Sequence, residues 1–359
     1  MKQRPDIYRQ YLIWGLSGPI LFLNFWVLGQ LFQYFEQPIA IVTVSAILGL
    51  LLSYPVHWLE KHHIRRAIAT SLVLVVVVSL VILLGSTVVP LVLEQATQLL
   101  NAFPEWAEKL TAQLSWFQKL ALRYNFRIEL DKFFTQLEQI AQTMVSWLPG
   151  LAIGTLGRLF DTVLVIVLAI YMLLYGQQMW RGLIDLLPVP LGPAFDKSFQ
   201  FNVQQFLFSQ FLLALLMMLG LIPIFVLLKV KFALLFALII GIFELIPFIG
   251  ATLGILLVTL LTLLQGFWLA VWVALAAIVL QQVRDNLVAP RLLGQFTGLN
   301  PIWIFVALLL GARIGGILGV LLAIPIAGTI KGTIEQLRTQ SSPIITHASE
   351  NGTPSNAVE

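Results

Sequence analysis

Four stretches of this chain, Ala67 to Leu93, Thr162 to Trp180, Ser198 to Leu228 and Leu245 to Val283, contain no Asp, Glu, Lys or Arg. Each is long enough for at least one helical membrane span, which needs about 20 apolar residues. Charged residues make up 11% of the chain, against about a quarter in soluble proteins. The chain therefore reads as an all-α integral membrane protein. Six spans are expected, near 13–31, 39–53, 68–93, 159–175, 203–228 and 267–283.

Orientation follows from the basic residues. Lys2, Arg4 and Arg9 precede the first span, while its connector to the second, "FQYFEQP", holds no Lys or Arg. The next connector carries Lys61, Arg65 and Arg66. Because Lys and Arg collect on the cytoplasmic side, both termini are expected in the cytoplasm of a multi-pass plasma-membrane protein. The same bias explains the net charge of +4 without nucleic acid. The basic start resembles a signal peptide, but its apolar run extends to Leu31 with no small-residue cleavage site, so an uncleaved span is expected.

Segments divide as follows. Residues 1–93 hold three spans, and 94–150 form an external amphipathic helical segment. Leu99, Phe103, Trp106, Leu110, Leu114, Phe117 and Leu120 recur there at helical spacing, followed by a second series from Leu130 to Met144. That segment is expected either to cap the bundle or to contact another subunit. Residues 151–200 hold the fourth span and a Pro/Gly-rich cytoplasmic loop, and 201–335 the transport core. The polar tail, 336–359, is expected to be disordered.

Two apolar segments of the core are broken. In "FELIPFIGATLG" a carboxylate, Glu244, sits beside Pro247, Gly250 and Gly254. An acidic side chain at the bilayer centre costs about 2.5 to 3.5 kcal/mol on insertion scales. The arms around this break are too short to cross a core about 30 Å thick, so residues 232–265 are expected to form a re-entrant hairpin. A second hairpin is expected at 300–331, starting with an Asn300 cap and Pro301 in the first turn and broken at "GARIGG". Paired Gly/Pro-interrupted segments point to the binding site of a secondary transporter. A faint echo links "AILGLLLSYPV" at 46–56 with "GILGVLLAIPI" at 316–326.

Glu244 is the leading candidate for chemistry, as a ligand for a coupling ion or as a proton carrier among unwound carbonyls. Pro247 and Gly250 would shape the turn. Asp285 and Asn286, in "VRDNLVAPR", would line a cytoplasmic entrance, and Arg313 at the second tip would face water or an acidic partner. Arg158 and Asp161 lie on one helical face. No cysteine is present, and His57, His62 and His63 lack helical metal-ligand spacing, so no metal site is expected. Absence of a P-loop, H-E-x-x-H or G-x-S-x-G pattern argues against ATP hydrolysis and intramembrane hydrolysis; no enzyme activity and no cofactor are expected, beyond Na+ or H+ as a coupling ion.

Three segments, "ELIPFIGATLG", "DNLVAPRLLGQFTGLNP" and "LLLGARIGGILGVLLAIPIAGTIK", resemble in order and spacing the signature segments of the autoinducer-2 exporter family of permeases. The resemblance covers residues 200–335; the first half is similar only in hydropathy layout. It places family motif positions on Glu244, Pro247, Gly250, Asp285 and Asn286, with Pro290, Gly294, Gly311, Gly315, Gly319 and Pro325 as structural positions. Members resemble exporters of a small polar signalling molecule in some cases and sodium/proton antiporters in others, and ring-forming homo-oligomers. The expected function is therefore a secondary transporter of a small polar solute, with sodium/proton antiport as one alternative and a non-transporting membrane scaffold as another.

Overall fold

A computed structural model describes residues 33–123, 156–293 and 299–341, with scattered positions between 23 and 31 and between 132 and 143. Every element among the described residues is helical: α1 (Glu36–Lys61), α2 (Arg66–Arg123), α3 (Leu156–Ile184), α4 (Leu191–Phe199), α5 (Gln205–Leu227), α6 (Ala233–Glu244), α7 (Gly250–Leu263), α8 (Phe267–Val283), α9 (Ala289–Leu293) and α10 (Pro301–Ser341). Two π-helical turns interrupt this order, Gln200–Gln204 between α4 and α5 and Arg284–Val288 between α8 and α9. Six helical stretches among the described residues are long and apolar enough to cross a membrane. Five correspond to the expected spans from the second to the sixth; most of the expected first span lies outside the described residues. The sixth stretch is Pro301–Thr339, the segment expected to be broken.

The apolar surface faces outward. Only 17% of the most apolar window of α1, and the same share of α2, is buried inside the protein. Val75, Val76, Val81 and Leu83 are all more than half exposed, which suits lipid as the solvent. Between such helices lipid is as apolar as leucine, so close packing rather than transfer from water holds the bundle. Gly49 of α1 shows this, since a Cβ there would lie 3.2 Å from the Ala169 carbonyl of α3. Gln37 donates to Asp161 Oδ2 at 2.9 Å nearer the start of both helices. These two contact points make α1 and α3 parallel, the sense expected for the second and fourth spans. Asp161 thus accepts from Gln37, while the side chain of Arg158 lies outside the described residues.

Two expected boundaries moved. The third span was expected to stop at Leu93, but α2 continues unbroken through Pro90 and Pro104 to Arg123. Leu99 and Phe103 are buried against Leu221, Phe225, Phe232 and Phe236, and this tertiary packing overrides the local breakers. Leu99, Phe103 and Trp106 of the first amphipathic series therefore pack on the bundle from an extension of a span; the side chains of Leu110, Leu114, Phe117 and Leu120 lie outside the described residues. Lys231 lies over the Trp106 ring at 5.5 Å, which gives that basic residue a partner. Of the second series, Leu137 is buried in the same core, and the rest falls mainly outside the described residues. The Pro/Gly-rich loop is likewise smaller than expected. Only 185–190 is non-helical, because prolines at the start of a helix sacrifice no intrahelical bond, and Trp180 stacks on Phe199 at 4.2 Å.

Both broken segments turn back on themselves. Helices α6 and α7 are 12 and 14 residues long and pack on each other, each about 20 Å of helix at 1.5 Å per residue. In α10 the backbone leaves helical geometry at Gly315 and at Gly316, where φ is +53°. The arms then run antiparallel, because Gly311 and Gly319 meet face to face: a Cβ on Gly319 would lie 1.9 Å from the Gly311 carbonyl. The expected Asn300 cap is present, its Oδ1 accepting from the Ile302 amide at 3.0 Å. Beyond Lys331 the second arm continues as helix to Ser341, so the tail expected to be disordered begins with helix; 342–359 lie outside the described residues. Gly49 and Gly319, which align in the sequence echo, both sit where two backbones approach closely.

Candidate functional site

The first break is dictated by two residues. Pro247 lacks an amide donor and pushes its predecessor out of helical geometry. Gly250 is required sterically, since a Cβ there would lie 1.8 Å from the Phe243 carbonyl. Between them Phe248 adopts φ +66°, a left-handed conformation that is uncommon for a bulky residue. Helix α6 therefore ends on Glu244, deep in the bundle.

A helix end buried without partners leaves orphan backbone groups, and here glutamines from neighbouring helices supply them. At the start of α6, Gln95 Oε1 of α2 accepts from the Leu235 amide at 3.0 Å. At its end, Gln210 Nε2 of α5 donates to the Glu244 carbonyl. The Glu244 side chain is 1% exposed, and its Oε1 forms an ion pair with Arg284 Nη2. Arg284 opens the π-helical turn that follows α8, and its Nη1 lies 2.5 Å from Asp285 Oδ1. Asp285 is more open, with 41% of its side chain exposed, and it accepts from Gln281 Nε2 at 3.1 and 3.3 Å. The result is one connected network, Glu244–Arg284–Asp285–Gln281, running from the buried tip toward the surface.

That network is incompletely satisfied. Glu244 Oε2, Arg284 Nε and Gln281 Oε1 are buried and have no hydrogen-bond partner among the described residues. Buried polar groups are nearly always paired, and a buried ion pair offsets its desolvation only when its remaining hydrogen bonds are made. Two acceptors and one donor are thus presented within a single cluster.

The other predicted residues divide by role. Pro247 and Gly250 shape the turn. Asp285 reaches Glu244 through Arg284. Asn286 is exposed and donates at 2.9 Å to the Gln282 carbonyl and to Gln282 Oε1 on its own helix. Pro290 lies in α9, which is tied to α5 where Ser209 Oγ donates to the Leu292 carbonyl at 3.1 Å. Gly294 lies outside the described residues. Gly311 and Gly319 bring the arms of α10 together, Gly315 makes the turn, and Pro325 is buried in the second arm with its carbonyl accepting from Thr329 Oγ1 at 2.7 Å. Arg313 is exposed at the second tip and joins no ion pair among the described residues. Sequence reasoning grouped Arg284 with Asp285 and Asn286 but gave it no binding role, and it missed Gln210 and Gln281. A lone glutamine in the charge-free run "FLFSQFLL" was the available signal for Gln210.

The buried acid–guanidinium pair thus lies at the break of a helical hairpin, in a protein whose long helices are clothed in apolar side chains. The profile of the AI-2E family transporter matches residues 16–339. The chain belongs to the AI-2E transporter family. It is similar to two proteins of Synechocystis sp. named "Putative transport protein sll0063" and "Putative transport protein sll0060". The first is 37% identical over 314 residues, covering 85% of this chain and 79% of the relative. The second is 31% identical over 314 residues, covering 86% and 91%. A "Putative transport protein YueF" of Bacillus subtilis is 23% identical over 288 residues, covering 76% and 77%. The chain is thus a multi-pass membrane transport protein, and membership tells against the scaffold alternative.

Proposed function

We propose that this protein is a secondary transporter that exports a small polar, hydroxyl-bearing solute across the plasma membrane, with Glu244 and Arg284 as the central binding pair. The carrying observation is the buried, incompletely satisfied network at the first hairpin tip. A hydroxyl group donates and accepts, so it complements Glu244 Oε2 and Gln281 Oε1 on one side and Arg284 Nε on the other. In this reading the first hairpin is re-entrant from outside and the second from the cytoplasm, where both termini lie. Asp285, nearer the surface, receives the solute and hands Arg284 back and forth. Coupling to Na+ or H+, assembly into homo-oligomers and the absence of a covalent step belong to the same reading. Sodium/proton antiport is the second reading, on the strength of the same buried carboxylate. Arg284 disfavours it, because its guanidinium already supplies the positive charge beside the carboxylate and would repel a second cation there.

The test uses inverted membrane vesicles carrying the full chain. Uptake of autoinducer-2 is followed alongside a pH dye after a sodium jump, for wild type, Glu244→Gln and Arg284→Gln. Uptake that disappears in both variants supports the solute reading. Sodium-driven proton movement without solute uptake favours antiport, and neither signal in wild type defeats both.

A further inference from the structure

We propose that Gln281 is the specificity-determining residue of the Glu244 site and makes it reject acids, by holding a fixed acceptor where a second polar group of the solute must sit. The inference rests on the transport reading above and deepens it, assigning selectivity to one side chain.

The guanidinium of Arg284 supplies the frame. Its Nε and Nη2 donate along one edge, which a carboxylate commonly grips with both oxygens. Here Nη2 holds Glu244 Oε1, while Nε and Glu244 Oε2 have no partner among the described residues. Half of a two-pronged pair is made and the other half is open. A hydroxyl fits the open half, since it accepts from Nε and donates to Oε2. A carboxylate does not fit there, because it brings no donor for Oε2.

Gln281 lies on α8, one turn before Arg284, and sets the adjoining position. Its Nε2 donates to both oxygens of Asp285, at 3.3 and 3.1 Å. An ionised carboxylate only accepts, so Asp285 fixes which way the amide is turned. Nε2 faces Asp285, and Oε1 faces away from it. That Oε1 is buried and likewise lacks a partner among the described residues. Asp285 also holds Arg284 Nη1 at 2.5 Å, so one carboxylate positions both Gln281 and Arg284. A solute whose first hydroxyl occupies the open half therefore meets an acceptor with its next polar group. A second hydroxyl satisfies that acceptor, whereas a carboxylate sets oxygen against oxygen and leaves a buried group unpaired. Charge acts in the same sense, since the carboxylates of Glu244 and Asp285 both bear on the single guanidinium of Arg284.

Saturation-transfer NMR on the full-length chain in nanodiscs tests this with two matched probes, propane-1,2-diol and lactate. They carry a hydroxymethyl or a carboxylate on the same hydroxylated carbon. Wild type should bind the diol at least about tenfold more tightly, the effect of one buried acceptor left unpaired. Gln281→Met removes the acceptor and should lower that preference about fivefold, the worth of one neutral hydrogen bond. Gln281→Lys sets a donor there and should lower it further. The ratio of the two affinities does not depend on how much of the sample is folded, so a loss of stability alone leaves it unmoved. Equal binding of the two probes by wild type, or an unchanged ratio in Gln281→Met, overturns the proposal and leaves the transport reading standing. Wild type that binds neither probe overturns the proposal together with the hydroxyl-solute reading.

Discussion

Arg284→Met leaves the Glu244 carboxylate buried without its counter-charge, and the structure sets the size of the effect. Glu244 is 1% exposed against 15% for the Arg284 side chain, so water cannot replace the lost partner. Breaking such a pair from one side costs about 3–5 kcal/mol. The reverse change, Glu244→Leu, is milder, because Arg284 keeps Asp285 at 2.5 Å; about 1–3 kcal/mol covers the unpaired donors left behind. Replacing both residues by apolar ones of similar size is expected to be neutral or stabilising, as for other buried pairs. The cycle therefore predicts strong coupling: two destabilising single variants and a double variant as stable as wild type. Reversible unfolding in SDS titrations, followed by the fluorescence of the ten tryptophans, measures each corner. If the double variant shows the sum of the single losses to within about 0.5 kcal/mol, the two side chains do not act as a pair and the site reasoning fails. Transport should be absent in the double variant despite its restored stability, which separates function from folding.

Other contacts make sharper local predictions. Gly319→Ala must force the arms of α10 apart, since its Cβ would lie 1.9 Å from a backbone carbonyl. Overpacking of this kind costs at least about 1–3 kcal/mol, seen as a lowered thermal midpoint in detergent, whereas Gly315→Ala, with nothing within 4 Å, should leave the midpoint unchanged. Phe103→Ala empties a fully buried position in the cap on the hairpin base and should cost about 3–5 kcal/mol; unchanged SDS unfolding would show that the extension of α2 is not held there. Since the chain has no cysteine, single substitutions report sidedness directly. Gly266→Cys should react with an impermeant maleimide on whole cells and Val288→Cys only after permeabilisation; external labelling of Val288→Cys would reverse the assigned orientation.

What could be read in the sequence was whatever local chemistry dictates. The hairpin breaks were legible because Pro247, Gly250 and the Gly315–Gly316 pair act on their own backbone, within one turn. Asn300 and Pro301 announced the start of α10 for the same reason. The continuation of α2 past Pro90 and Pro104 was not legible, because it depends on Leu99 and Phe103 meeting side chains more than a hundred residues away. Arg284 was visible only as part of a cytoplasmic loop. Its role depends on a π-helical turn that no residue pattern specifies, and on a partner 40 positions earlier in the chain. Nothing local in the sequence marks Gln95 or Gln210 as a cap, and only the packing reveals that they bond to the two ends of one helix.

Those caps bear on why Glu244 is where it is. A short buried helix needs its terminal amides and carbonyls satisfied, and Gln95 and Gln210 do that for α6 with neutral side chains. Helix ending therefore requires no carboxylate, and a capping role does not account for Glu244. Stability does not account for it either, since apolar replacements of buried pairs are as good or better. The strained Phe248, the π-helical turn beneath Arg284 and the three unpartnered polar atoms are further departures from an ideal bundle, all next to the same pair. Departures from local rules gather at functional sites, and π-helical turns are frequent there. The second hairpin offers the control. Its tip is built from glycines, carries no buried charge, and has its arms closed by backbone contact at Gly311 and Gly319. Two hairpins of one chain thus solve the same folding problem, and among the described residues only the first has a buried ion pair at its break.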